Sequence, residues 1–550
     1  MDYIICFIIT TLCLINGYSL LRASDIHLNN RKFICASTGA SFFLGVIFLI
    51  VTIRLLSFIL KDSLMALYAF FFISLILAYR SRSQLMDIFK SPRTYRVTLS
   101  LILIFSVFHS ALLLYWMQHS DPRDPFAVIG SLHSVRYVNL AKFILDNSYF
   151  PVTGQNTGQS TLAFVALALG AKSGYVALAA FLASSIIFLC MIIFDLFNAY
   201  IKDKKLSIIA TFIFITANTA LSTSHVLVID SGSPFFVSGY TDTIVGIFIL
   251  LMLAIAYNEL SKVEKPSLAQ LSLVLLMLTG TLYVAPQNTI LIIVSVISLS
   301  VLKCKIKHRG IIGALALTSL LIAIPQGGML TPPSLQANVS IPGMMKVEVD
   351  GSPLLGFKPG LMYHLQNIDK YDPSNYTDRL ARIKELTERH HFKSAIFYLE
   401  EALATSIRIM LFPIMGFFLL FIFRNKSPIQ SIPGGELISI DLIKYFGSMV
   451  FLIGFAATFM FDMHGRKWEL TRFLIPGIVF GMFSFILISI SLIQKSRHQK
   501  WKVALIIIVM TFGPISDFSS TLRKRIKEDF GAGAFDARYD AYRDLGANQN

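Results

Sequence analysis

Charge is scarce in this chain. Of its 550 residues only 15% are Asp, Glu, Lys or Arg, against roughly 25% in a soluble domain. With 55% of residues hydrophobic, too little polar surface is left to cover a water-soluble core. In lipid the constraint reverses, because apolar side chains face outward from helices whose backbones are internally satisfied. Cysteine is scarce too: Cys6, Cys13, Cys35, Cys190 and Cys304 include no pair at metal-ligand spacing and no even set in an external loop, which excludes a disulfide framework. No internal repeat is visible, and the two halves show no matching broken helices, against a transporter built from inverted repeats. Charges do not sit mid-span in the numbers a proton relay needs, and Asp195 reads as a carboxylate near an inner helix end, within reach of water. The first apolar run, Tyr3 to Leu21, lacks the basic start and small-residue cleavage site of a signal peptide and reads as a retained helix.

What is present is a series of apolar runs with basic loops between them. A crossing takes about 20 apolar residues, and the chain reads as an all-α, polytopic membrane bundle of about fourteen helices plus one short half-helix. The expected spans are 3–21, 33–53, 63–79, 97–117, 174–198, 206–222, 241–257, 267–284, 287–302, 311–325, 402–423, 443–461, 470–493 and 502–515. The stretch 160–171 is too short for an easy crossing and is expected as a re-entrant piece or half-helix. The net charge of +16 lies in short loops, as the positive-inside rule has it, so no nucleic-acid partner is expected. Arg22, Arg31 and Lys32, then Arg80, Arg82, Lys90, Arg93 and Arg96, and every second loop thereafter, mark the inner face. Parity holds if 160–171 does not cross. The outer segments are then 118–159, 223–240, 326–401, 462–469 and the tail from about Gly513, whose Arg523, Lys524, Arg525 and Lys527 fit an inner location better. In domain terms these are an N-terminal three-helix addition with its basic loop (1–96), a transmembrane core (97–325), an external loop domain (326–401), C-terminal helices (402–515) and a polar tail (516–550).

Polar residues concentrate at three places on the outer face. Loop 118–159 carries Asp121 and Asp124, then an amphipathic stretch Ser134 to Leu145, expected to lie along the membrane, then a Gly/Asn turn through Gly154–Gly158. Gly239-Tyr240-Thr241-Asp242-Thr243 opens the seventh span, and His464 to Phe473 ends in Pro476. Acids and cations on one face suit transfer from a lipid-phosphate donor. An aspartate, Asp124 or Asp242, takes a proton from an acceptor hydroxyl, with His133 nearby in sequence. Arg136, Lys467 and Arg472 hold phosphate and offset charge on the leaving group. Asp121 with Asp124 also suits a divalent cation such as Mg or Mn. Each signal has a plainer reading: turn aspartates beside proline, a helix-start Asp242, a structural His133, and interfacial anchors at Arg466, Lys467 and Arg472.

The order of these features resembles the C-type glycosyltransferase superfamily, membrane enzymes that use polyprenyl-phosphate sugars. Asp124, Tyr137-x-x-x-Ala141, Phe150-Pro151 and the 160–171 piece look like that superfamily's first external loop. Thr241-Asp242 stands in its second motif position, and Arg472-Phe473-x-x-Pro476 looks like its Arg-aromatic-Pro stretch. The likeness covers 97–260 and, more loosely, 440–490. Many members place the loop acid a few residues before the Tyr, where this chain has His133-Ser134. Three readings follow: the acid has moved to Asp124, His133 takes part of its role, or the chain is an inactive or reassigned member. The resemblance implies a glycosyltransferase on the outer face of a bacterial inner membrane, with the lipid bilayer, a polyprenyl-phosphate sugar donor and a glycan, lipid or protein acceptor as partners. Gln155 and Gln159 of the turn, and Tyr363 and His364 of the 326–401 loop, are the candidate substrate contacts. An O-antigen polymerase or ligase working through Arg379, Arg382, Arg389 and His390, and a lipid-linked-oligosaccharide flippase, are the competing readings.

Overall fold

A computed structural model describes residues 1–24, 34–89, 132–153, 157–201, 203–221, 263–284, 308–328, 331–337, 357–359, 412–422, 443–463 and 467–494, with a few isolated positions besides. These residues are almost wholly helical. The helices are α1 (Asp2–Ala23), α2 (Ile34–Leu60), α3 (Ser63–Phe89), α4 (Leu132–Asn147), α5 (Gly158–Ala168), α6 (Gly174–Ile201), α7 (Lys204–Leu221), α8 (Leu268–Val284), α9 (Arg309–Ala323), α10 (Phe412–Ile422), α11 (Ser448–Met460) and α12 (Lys467–Gln494). A π-helical turn, Ile443–Gly447, leads into α11. One short antiparallel pair, β1 (Phe357–Pro359) and β2 (Phe461–Met463), sets Lys358 opposite Asp462. The expected spans 97–117, 241–257, 287–302 and 502–515 lie outside the described residues.

Among the described residues, three helical stretches are long and apolar enough to cross a membrane: Asp2–Ala23, Cys35–Leu60 and Pro476–Gln494. Shorter apolar helices include Ser63–Tyr79, Ile187–Ile201 and Leu268–Val284. Their surfaces carry the mark of lipid. On α3 the exposed residues Met65, Tyr68, Phe72, Leu75, Ile76 and Tyr79 recur at helical spacing, a stripe that water would not tolerate. The chain is a membrane protein on this evidence.

Close helix contacts follow from small residues. A Cβ on Gly17 would land on the Ser41 carbonyl, and one on Gly45 on the Cys13 carbonyl, so α1 and α2 touch backbone to backbone. Without a hydrophobic drive between helices in lipid, such close packing is what holds them. Gly416 and Gly481 do the same for α10 and α12.

Paired contacts give each helix its sense. α1 and α2 are antiparallel, since Gly17 meets Ser41 where Gly45 meets Cys13. α1 and α3 are parallel: Asn16 donates to the Ser74 hydroxyl (2.9 Å) and Ser19 to the Leu77 carbonyl (3.2 Å). α2 runs against α6, with Gly39 at Ile192 and the Phe42 ring stacked on Phe188, centroids 4.3 Å apart. α2 runs with α8, Ile47 at Gly280 and Arg54 at Tyr283. α11 is antiparallel to α10, through Phe417 with Phe451 and Phe421 with Tyr445, and to α12, through Gly447 with Phe480 and Phe451 with Gly477. The Phe197 and Phe483 rings, 4.6 Å apart, join α6 to α12.

α5 has 11 residues, about 16 Å of helix, well short of a bilayer core. It packs mainly on α4 and α6. The amphipathic reading of 134–145 holds for α4, with one correction. Its apolar face (Tyr137, Val138, Leu140, Ala141 and Ile144) is buried against protein, where Gly174 of α6 packs on Val138, and Lys142 and Asp146 are exposed.

Candidate functional site

One end of the bundle gathers the helix termini that matter. Asp2 at the start of α1 accepts hydrogen bonds from the Lys172 and Ser173 amides just before α6 (3.0 and 3.1 Å). The Ser63 amide at the start of α3 donates to the Ser148 carbonyl at the end of α4 (2.7 Å). α2 and α8 finish at this end, and so does α9, through a 3-10 turn, Ile324–Gln326.

At its centre is Arg54, 2% exposed, in the penultimate turns of α2. An ionised side chain within an apolar span is costly and marks function by default. The guanidinium lies 4.7 Å from the Phe150 ring centroid and 5.5 Å from that of Tyr283, contacts that suit a cation held in aromatic walls. Its Nη2 donates to the Gln326 carbonyl. No carboxylate faces it among the described residues, and its Nε and Nη1 have no hydrogen-bond partner there.

Three segments wall this cation. Tyr283 donates its hydroxyl to Gln326 Oε1 (2.7 Å), and Gln326 Nε2 donates to the Ile322 carbonyl (2.9 Å), so the side chain of Gln326 is satisfied and its position fixed. Gly327 and Gly328 have positive φ (96° and 150°), which lets the chain turn tightly beside Thr153. The Gly328 amide donates to the Thr153 carbonyl (2.8 Å), and the Ala337 amide to that of Val152 (2.8 Å). The segment after Phe150 is thereby stitched to the residues after Gln326. It leads to Thr157, the N-cap of α5, and Gly158 packs on Tyr283 and Val284. Thr153, Thr157, Gln159 and Ser160 are buried here, and the Oγ1 of Thr153 and Thr157, both amide atoms of Gln159 and Oγ of Ser160 have no partner among the described residues. Thr157 does not use its hydroxyl to cap α5.

Of the candidate residues read from sequence, Gln159 belongs to this cluster. His133 and Arg136 lie in the first turns of α4, and Lys467 and Arg472 in the first turns of α12, placed by backbone alone. Asp121, Asp124, Gln155, Asp242, Tyr363 and His364 lie outside the described residues, as do Arg379, Arg382, Arg389 and His390. Among the described residues no group of three or more His, Cys, Asp or Glu could hold a metal.

Two expectations are corrected. The second span was expected to end at residue 53, yet α2 runs on to Leu60 and places Arg54 inside it. The sequence signal is a lone Arg in the otherwise uncharged run from Phe48 to Leu60. Asp195 does not reach water: it is fully buried, and its Oδ2 accepts the Ala36 amide at the start of α2 (2.7 Å). Comparison of the chain with protein-family models, curated proteins and solved structures finds no match.

Proposed function

We propose that this chain is a membrane glycosyltransferase that moves a sugar from a polyprenyl-phosphate donor to a glycan, lipid or protein acceptor on the outer face of a bacterial inner membrane. The observation that carries the reading is the packing of loop 132–168. α4, the Phe150-Pro151 turn and the short α5 form one unit against α2, α6 and α8. Its turn borders a buried cation, Arg54, beside unpaired hydroxyl and amide groups. α4, the Phe150-Pro151 turn and α5 are among the elements on which the family resemblance rests.

The finer architecture belongs to the same proposal: about fourteen crossings, with α5 as a piece that enters and does not cross. Helix sense supports it. Charge parity requires α1, α3 and α6 to run inward and α2, α8 and α9 outward. The contacts make α1 and α3 parallel, α2 antiparallel to α1 and α6, and α2 parallel to α8. The Arg54 end is then the outer face, where loop 118–159 and loop 326–401 also lie.

In this reading Asp124 removes the acceptor proton, with Asp242 as the second acid and His133 sharing the base's role. Arg136, Lys467 and Arg472 hold phosphate as the glycosyl bond breaks. Gln155, Gln159, Tyr363 and His364 contact substrate. The test is Asp124→Asn and Asp242→Asn, each scored for the surface glycan at unchanged protein level. Loss of the glycan in both is expected, and full assembly by both variants would remove their assigned roles.

A further inference from the structure

We infer that the buried polar cluster around Arg54 binds a phosphoryl oxyanion, separately from the phosphate contacts proposed on α4 and α12. The argument begins from an imbalance. Arg54 carries a fixed positive charge at 2% exposure, and its described neighbours are the rings of Phe150 and Tyr283, the Tyr283 hydroxyl and the Gln326 carbonyl, none of which carries negative charge. A guanidinium cannot discharge itself by losing a proton. A bound anion is the remaining way to neutralise it in a region closed to water.

The groups beside it are donors in excess. Arg54 keeps Nε–H and Nη1–H in hand, and the hydroxyls of Thr153, Thr157 and Ser160 and the Gln159 amide are all buried and unpaired among the described residues. Gly158 opens α5 against Tyr283, the residue whose ring also meets the guanidinium. The helix start that Thr157 leaves uncapped stands against the backbone of Tyr283, whose side chain walls the cation, and helix N-termini favour anions. A carboxylate has two oxygens to accept from such a set, whereas a phosphoryl group has three that radiate in different directions.

Two sources supply that chemistry: a phosphorylated lipid and free phosphate. Arg54 stands on a helix whose next turn, through Leu55, Phe58 and Ile59, is exposed along its apolar flank. That flank favours the lipid-borne source, whose tail it would meet.

The test uses the full chain in nanodiscs of neutral lipid. Binding is measured for a polyprenyl monophosphate, for the same polyprenol without phosphate, and for inorganic phosphate, in the wild type, Arg54→Met, Arg54→Lys, Gln159→Leu and Thr157→Val. The phosphorylated lipid is expected to bind and the polyprenol not. Arg54→Met should weaken it by roughly tenfold or more, Arg54→Lys less, and Gln159→Leu and Thr157→Val by a few fold. Inorganic phosphate binding with the same mutational losses, and no preference for the lipid, assigns the site to a free anion and still supports it. If the wild type binds neither, or if the folded variants bind as it does, the inference is overturned. Should Arg54→Met fail to fold, Gln159→Leu and Thr157→Val decide. The two proposals separate at the variants: loss of binding in Arg54→Met, Gln159→Leu and Thr157→Val belongs to this site, whereas loss of the surface glycan in Asp124→Asn and Asp242→Asn belongs to the transferase reading.

Discussion

α2 meets a buried charge near each of its ends, and the two are handled in opposite ways. At its start the Asp195 carboxylate, fully buried, takes the Ala36 amide and so serves as an anionic cap where the helix dipole favours one. Near its finish Arg54 has one carbonyl, two rings and two unpaired N–H groups. The first charge is explained by the fold: remove it and the Ala36 amide is orphaned. The second is not explained by the fold, since nothing in the described structure needs a cation there. A buried charge that completes a helix is architecture, and one that the architecture leaves incomplete points to a ligand.

That contrast can be broken by stability measurements on the detergent-solubilised chain. The largest effect is expected for Asp195→Leu. It removes a charged acceptor and leaves the buried Ala36 amide unpaired, at roughly 2 kcal/mol or more. Asp195→Asn should recover part of this, because its carbonyl still accepts. Unfolding followed by circular dichroism in denaturant reads both. Next comes Tyr283→Phe, which deletes the hydroxyl donated to Gln326 Oε1 and should cost about 1 kcal/mol in the same assay. Arg54→Met should change stability least, by about 1 kcal/mol or less in either direction, since an uncompensated buried charge gives way to a side chain of similar length. If Arg54→Met proves as damaging as Asp195→Leu, the distinction between the two ends of α2 collapses and Arg54 becomes a structural residue.

The sequence made the apolar helices legible because the signal is long and composition alone carries it. The starts of α1, α3 and α6 agree with the expected spans to within a residue, and α5 is as short as its apolar run. The errors arose where a single charge had to be interpreted. Arg54 looked like the end of a span because charges normally stand at water, and the aromatic residues that shelter it, Phe150 and Tyr283, are 96 and 229 residues away in the chain. Asp195 looked solvated for the same reason; its partner Ala36 is 159 residues distant. Periodicity cannot report contacts at such range. Gln159 shows the middle case: its polar character marked the turn, but its burial and its place at the start of α5 emerge only when α8 closes over Gly158.

The small strand pair β1–β2 has a consequence for how force travels through the molecule. It ties Phe357–Pro359, deep in the long 326–401 connection, to Phe461–Met463, four residues ahead of α12. α12 in turn packs lengthwise on α10 and α11. β2 follows directly on the last residue of α11 and precedes α12, so a load on β1 passes to the junction of those two helices unless three residue pairs unzip. A probe attached at Lys358 therefore reports on that junction.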